Sequence, residues 1–125
     1  MPHPAVSIGL LLPTREVVMA QGAPDLSKII DLAVRAEELG CDSVWVGDSI
    51  LARPRLEAMT TLAAVASRTR QVQLGTAVLL PALRHPVVLA NEAANVDILS
   101  HGRLILGLGI ATKLTFPILA LREYR

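Results

Sequence analysis

Cysteine and aromatic residues are scarce in this chain of 125 residues. Its one cysteine, Cys41, excludes an intramolecular disulfide and a cysteine-rich metal site, and fits a reduced compartment. Trp45, Phe116 and Tyr124 are the whole aromatic set, too few for a platform on which bases stack. Excess charge is missing as well. Lys and Arg number 12 against 11 Asp and Glu, a net charge of +1. That balance argues against a strongly basic nucleic-acid binder and an acidic disordered tail. No apolar run reaches the roughly 18 residues of a bilayer span; charge-free stretches such as residues 71–83 and 104–112 fall short of it. Met1-Pro2-His3-Pro4 lacks the basic region of a secretory signal. His3 and His101 have no partner at metal-ligand spacing, so no metal is expected. These absences predict one soluble, cytoplasmic domain that binds neither nucleic acid nor membrane.

What is abundant is apolar sequence, 52% of the chain, in two alternating patterns. Short runs at residues 6–12, 43–47, 72–80 and 104–110 are apolar on both faces, as in strands buried in a parallel sheet. Between them lie helical stripes. In the first, Leu26, Ile29, Leu32, Ala33, Ala36 and Leu39 share a face, with Asp25 placed to cap its start and Gly40 to end it. A second runs from about Glu57 to Arg68. The third opens at Pro86 and ends before Gly102, with Leu89, Ala93, Val96 and Leu99 as its inward stripe. Strand starts are spaced by about 30–37 residues, which suits βα units with crossover connections.

The fold class is therefore α/β, with four parallel strands. Two architectures accommodate them: an open doubly wound sheet, or part of a (β/α)8 barrel. A complete barrel takes about 250 residues, twice this length. Either open form leaves two apolar strand edges unpaired and predicts self-association or pairing with a complementary half barrel.

Polar residues at strand ends are the candidates for function. Asp48 and Ser49 follow the second strand, at the edge where α/β folds gather ligands; Asp48 equally suits positioning of the loop. Gly75-Thr76-Ala77-Val78 interrupts an otherwise bulky strand. It marks a bulge, a ligand's approach to the backbone, or room for a neighbouring helix. Gly107-Leu108-Gly109-Ile110-Ala111-Thr112 departs from a dinucleotide fingerprint at Thr112 and lacks the later acidic residue. Its glycines read as close backbone packing. Arg84-His85-Pro86 opens a helix where Arg84 offers charge to an anion, or His85 merely caps. Arg53-Pro54-Arg55 is a small basic cluster suited to a phosphate or to solvent. Glu57, Glu92 and Asp97 read as capping or exposed helix residues.

Taken together, 74–81 (LGTAVLLP), Arg84-His85-Pro86, Asp97 and 102–109 (GRLILGLG) resemble the bacterial luciferase-like monooxygenase family. Residues 36–48 (AEELGCDSVWVGD) resemble that family's first helix and second strand. The resemblance extends over about residues 6–110. It implies a TIM-barrel oxidoreductase using FMN or a deazaflavin, coenzyme F420, with a small organic substrate. The ring would lie over the C-terminal mouth of the barrel, where the cofactor carries the chemistry and the protein orients it. By the same resemblance Asp48 and Ser49 would line that mouth, Thr76 and Ala77 would back the ring, and Gly107 and Gly109 would lie close by. Ser49 stands where many deazaflavin-using relatives carry His, and His101 where Gly is common. Residues 1–110 thus correspond to the N-terminal half of such a barrel, and 111–125 to an atypical tail. A truncated oxidoreductase, inactive without its other half, is the first expectation. The alternative is a non-catalytic α/β module that associates through its sheet edges.

Overall fold

A computed structural model describes residues 6–50 and 54–110. The tail at 111–125 and Arg53 lie outside the described residues. Strands β1 (Gly9–Leu11), β2 (Ser43–Val46), β3 (Gln73–Leu79) and β4 (Leu104–Leu108) form one parallel sheet in the order β1-β2-β3-β4. Helices α1 (Thr14–Met19) and α2 (Ser27–Glu38) connect the first two strands, and α3 (Ala58–Arg68) the next two. A 3₁₀ turn, Pro81–Leu83, and α4 (Pro86–Ser100) lead into β4. Strand order equal to chain order decides between the two architectures. Crossovers of one hand then put the helices on one face, and the winding never reverses. A doubly wound sheet requires a reversal; a barrel does not.

The core lies between that face and the helices. Leu10, Val44, Leu74 and Leu104 are in register across the four strands. They belong to the cluster formed with Ile29, Ala33 and Ala36 of α2, Met59, Leu62 and Val65 of α3, and Val96 of α4. Helix ends follow local chemistry. Gly40, at φ +82°, takes the left-handed turn after α2 that side chains resist. The Glu57 carboxylate accepts the Thr60 amide at 2.8 Å and caps α3. His101 ends α4 in the left-handed region, φ 57°.

The N-terminal rim of the sheet is tied by two charged side chains. The Glu37 carboxylate accepts the backbone amides of Arg70, Gln71 and Val72 at 2.7–3.0 Å. Arg103 donates to the carbonyls of Ser100, Val72, Ala66 and Thr69 and to the Thr69 hydroxyl. Burial alone would raise the Glu37 carboxyl, but the three amides, with Arg103 nearby, hold it below its ordinary value.

The structure corrects the sequence reading in four places. Helix α1 lies in a stretch where the sequence shows no helical stripe, and β1 begins at Gly9 rather than residue 6. Asp25 does not cap α2. It accepts the Ser27 amide and hydroxyl from one residue further out, with Leu26 at the cap position. Leu39 and Leu99 are exposed rather than inward. Both lie at helix C-terminal ends, and α4 carries apolar residues around its circumference, so spacing alone did not select its buried side.

Candidate functional site

The C-terminal ends of β2, β3 and β4 bring most of the candidate residues together. Asp48, two residues beyond β2, is turned into the protein, with its side chain only 2% exposed. One oxygen accepts the Leu80 amide at 2.9 Å and an Arg84 Nη, while the other accepts the second Arg84 Nη at 3.1 Å. Asp48 therefore clamps the end of β3 through its backbone and through a forked guanidinium pair. Arg84 also donates to Glu57 at 2.7 Å. Its charge is committed to two carboxylates, which corrects the expectation of a cation free to meet an anion. Burial would lower the Arg84 pKa, but Asp48 and Glu57 raise it. Burial raises the Glu57 carboxyl, and the Thr60 amide with Arg84 brings it below its usual value. His85 sits at the N-cap position of α4 and makes no capping hydrogen bond through its side chain.

Strand β3 carries the expected bulge. Its register with β4 shifts between Thr76 and Leu79, and the Ala77–Val78 peptide within the bulge is cis. Thr76 is fully buried and donates its hydroxyl to the Gly107 carbonyl at 2.9 Å. Ala77 and Val78 are exposed. Gly107 in β4 and Gly109 just beyond it make the bulge possible. A Cβ on Gly107 would meet the Thr76 carbonyl oxygen at 2.2 Å, and one on Gly109 would meet Val78 Cγ2 at 2.3 Å. The Gly109 amide donates to the Leu79 carbonyl at 2.9 Å.

Trp45 was missed as a structural residue. Its indole covers Gly75 on β3 and reaches Gly9 on β1, and its Nε1 donates to Ser43 Oγ at 2.8 Å. Gly75 thus makes room for a side chain of the neighbouring strand, not for a helix. The only advance signal was a large residue flanked in the sheet by two glycines, and reading it requires the register.

A cleft of about 260 Å³ opens beside this cluster, lined by Asp48, Ser49, Ile50, Pro54, Arg55, Leu56 and Glu57. At the bulge, exposed Val78 lies against Gly109, on the face of the sheet opposite to Leu79; Leu108, in register with Leu79, is exposed on the helix-facing side. A small exposed apolar surface at a strand end fits one face of a flat, mostly apolar ring. Ala77, Gly107 and Gly109 lie at or beside Val78, and Thr76 is buried with its hydroxyl on Gly107. Asp48 supports the end of β3 and, with Ser49, lines the cleft.

The family model for luciferase-like monooxygenases matches residues 6–114. The chain belongs to that family. An F420-dependent glucose-6-phosphate dehydrogenase of Amycolatopsis mediterranei is 44% identical over 103 residues, 77% of this chain and 31% of that protein. A coenzyme F420-dependent tetrahydromethanopterin reductase from Methanopyrus kandleri superposes with a TM-score of 0.75 at 29% identity, over 94% of this chain and 30% of that one. A monooxygenase from Streptomyces bottropensis gives 0.74 at 29% identity, over 92% and 36%. The chain of this luciferase-like family member spans about a third of the length of each of these relatives. Among the described residues, no helix is long and apolar enough to cross a membrane.

Proposed function

We propose that this luciferase-like chain supplies one wall of the cofactor site in an F420- or FMN-dependent oxidoreductase. The observation that carries the reading is the β3 bulge with its exposed Ala77 and Val78, fitted against Gly107 and Gly109 at the C-terminal mouth. Active sites of barrels of this winding lie at that mouth. F420 is the favoured cofactor because the 44% identical relative bears it in its name. When bound, the cofactor supplies hydride transfer to or from a small organic substrate. The protein's part is to bind and orient. Ala77 and Val78, exposed at the bulge, exclude water from one face of the ring. The Asp48–Arg84 pair fixes the end of β3 so that the bulge keeps its shape. Residues 1–110 act as the first half of the barrel. Turnover requires the other half of such a barrel, which would complete the mouth.

Sheet edges carry a second element of the proposal. Among the described residues, β1 pairs only with β2 and β4 only with β3, and Leu11 and Leu108 are exposed at those edges. Copies of the chain pair through these edges, or take up a complementary half barrel. Spectroscopic titration tests the first element: the chain should bind F420 and FMN saturably and show no turnover alone. Failure of both cofactors to bind would refute it. Sedimentation tests the second, for which a clean monomer at micromolar concentration is the contrary result.

A further inference from the structure

Among the described residues, two arginines at the mouth bury an Nε that has no hydrogen-bond partner. Arg15 is the second residue of α1, and Arg55 lies between β2 and α3. The Leu56 amide donates to the Thr14 carbonyl at 3.1 Å, which lashes the two segments together beside both arginines. Arg55 lies across Gly47, where a Cβ would fall 1.8 Å from one of its Nη atoms. The Nε of Arg15 and the Nε of Arg55 are both buried, and among the described residues neither has a hydrogen-bond partner. Burial, and then the Arg15 charge, lower the Arg55 pKa; Glu16 and Asp48 oppose this. Asp48 is already committed to Arg84 and the Leu80 amide. Glu16 is exposed and accepts from neither Nε.

Two adjacent, partly desolvated guanidiniums repel each other, and each leaves a donor unused. An oxyanion cures both defects at once, because it brings negative charge and several acceptor lone pairs in a planar or tetrahedral array that guanidiniums match. We propose that Arg15 and Arg55 form a binding site for a phosphate or carboxylate group, beside the cleft lined by Ser49 and Glu57. The group belongs to the substrate or to a side arm of the cofactor. That attribution rests on the function proposed above; binding of the anion itself does not.

The full chain is titrated with inorganic phosphate by calorimetry, at constant ionic strength maintained with chloride. Saturable one-site binding is expected. Arg15→Gln and Arg55→Gln should each weaken it at least about tenfold, the loss of one charge-assisted bond. Arg68→Gln, at an exposed position at the end of α3, should leave it unchanged. Circular dichroism checks that each variant folds. A second measurement needs no variant: phosphate should slow phenylglyoxal labelling of Arg15 and Arg55 in the unaltered chain and leave Arg68 labelling alone. Unsaturable binding, equal affinity in Arg55→Gln, or uniform protection of all arginines would overturn the proposal. Flavin arms identify the carrier. A cofactor anion makes FMN bind more tightly than riboflavin, with the difference abolished in Arg55→Gln; a substrate anion lets phosphate and FMN bind together. If neither flavin nor F420 binds, the cofactor reading fails while the phosphate titration still decides this one.

Discussion

Replacing Gly75 by alanine should force the Trp45 indole off the sheet. The new Cβ would fall 2.2 Å from Trp45 Cε3, where ordinary contact begins at 3.4 Å, so the ring must retreat by about 1.2 Å. Its escape is limited, because the indole also lies close against Gly9 and its Nε1 is held by Ser43 at 2.8 Å. Overpacking on this scale costs about 1–3 kcal/mol, against which alanine's lower entropy in the unfolded chain returns roughly 0.5–1 kcal/mol. At roughly 4 °C per kcal/mol for a domain of this size, the melting temperature should fall by several degrees. Thermal circular dichroism measures the loss, and the emission of Trp45, the one tryptophan, reports the local change. The decisive comparison is a double-mutant cycle. In a Trp45→Leu background the Gly75→Ala penalty should largely vanish, a coupling of at least about 1 kcal/mol. An unchanged melting temperature in Gly75→Ala, or strictly additive effects in the cycle, would refute the reasoning.

Glu37→Gln should lower stability at neutral pH by about 1–3 kcal/mol, because three backbone amides lose a charged acceptor. The folded carboxyl lies below its ordinary value of 4.5. Its stabilisation is thus full above that pH and disappears as pH falls through the folded value; urea midpoints of parent and variant should converge under acid conditions. Arg84→Met leaves the Asp48 carboxylate, 2% exposed, without its guanidinium and should cost about 3–5 kcal/mol. Adding Asp48→Asn should recover part of that loss in the same urea assay.

The strands were legible because each is apolar on both faces and bounded by turn residues, a signal that depends on local sequence alone. Three helices were legible for the same reason, with Gly40 and Pro86 marking boundaries that backbone stereochemistry imposes. Helix α1 was not. Six residues give no periodicity, and its placement follows from contacts such as the Thr14 carbonyl with the Leu56 amide. The site shows the same division. A bulge near Thr76 was readable from small residues in a bulky strand. The roles of Asp48 and Arg84 were not, because their partners lie 36 residues apart in sequence and meet only once β2 and β3 are paired. The Arg15–Arg55 pair required the fold for the same reason.

A cofactor resting on the C-terminal ends of β2, β3 and β4 would perturb the backbone amides there, which amide chemical-shift mapping of the 125-residue chain during titration with F420 reads out residue by residue. Perturbations should concentrate at Asp48 and Ser49, at Thr76 to Val78 and at Gly107 to Gly109, and stay small around Glu37, Asp42 and Arg103 on the opposite rim. Shifts centred on that opposite rim, or none at concentrations that saturate family members, would contradict it.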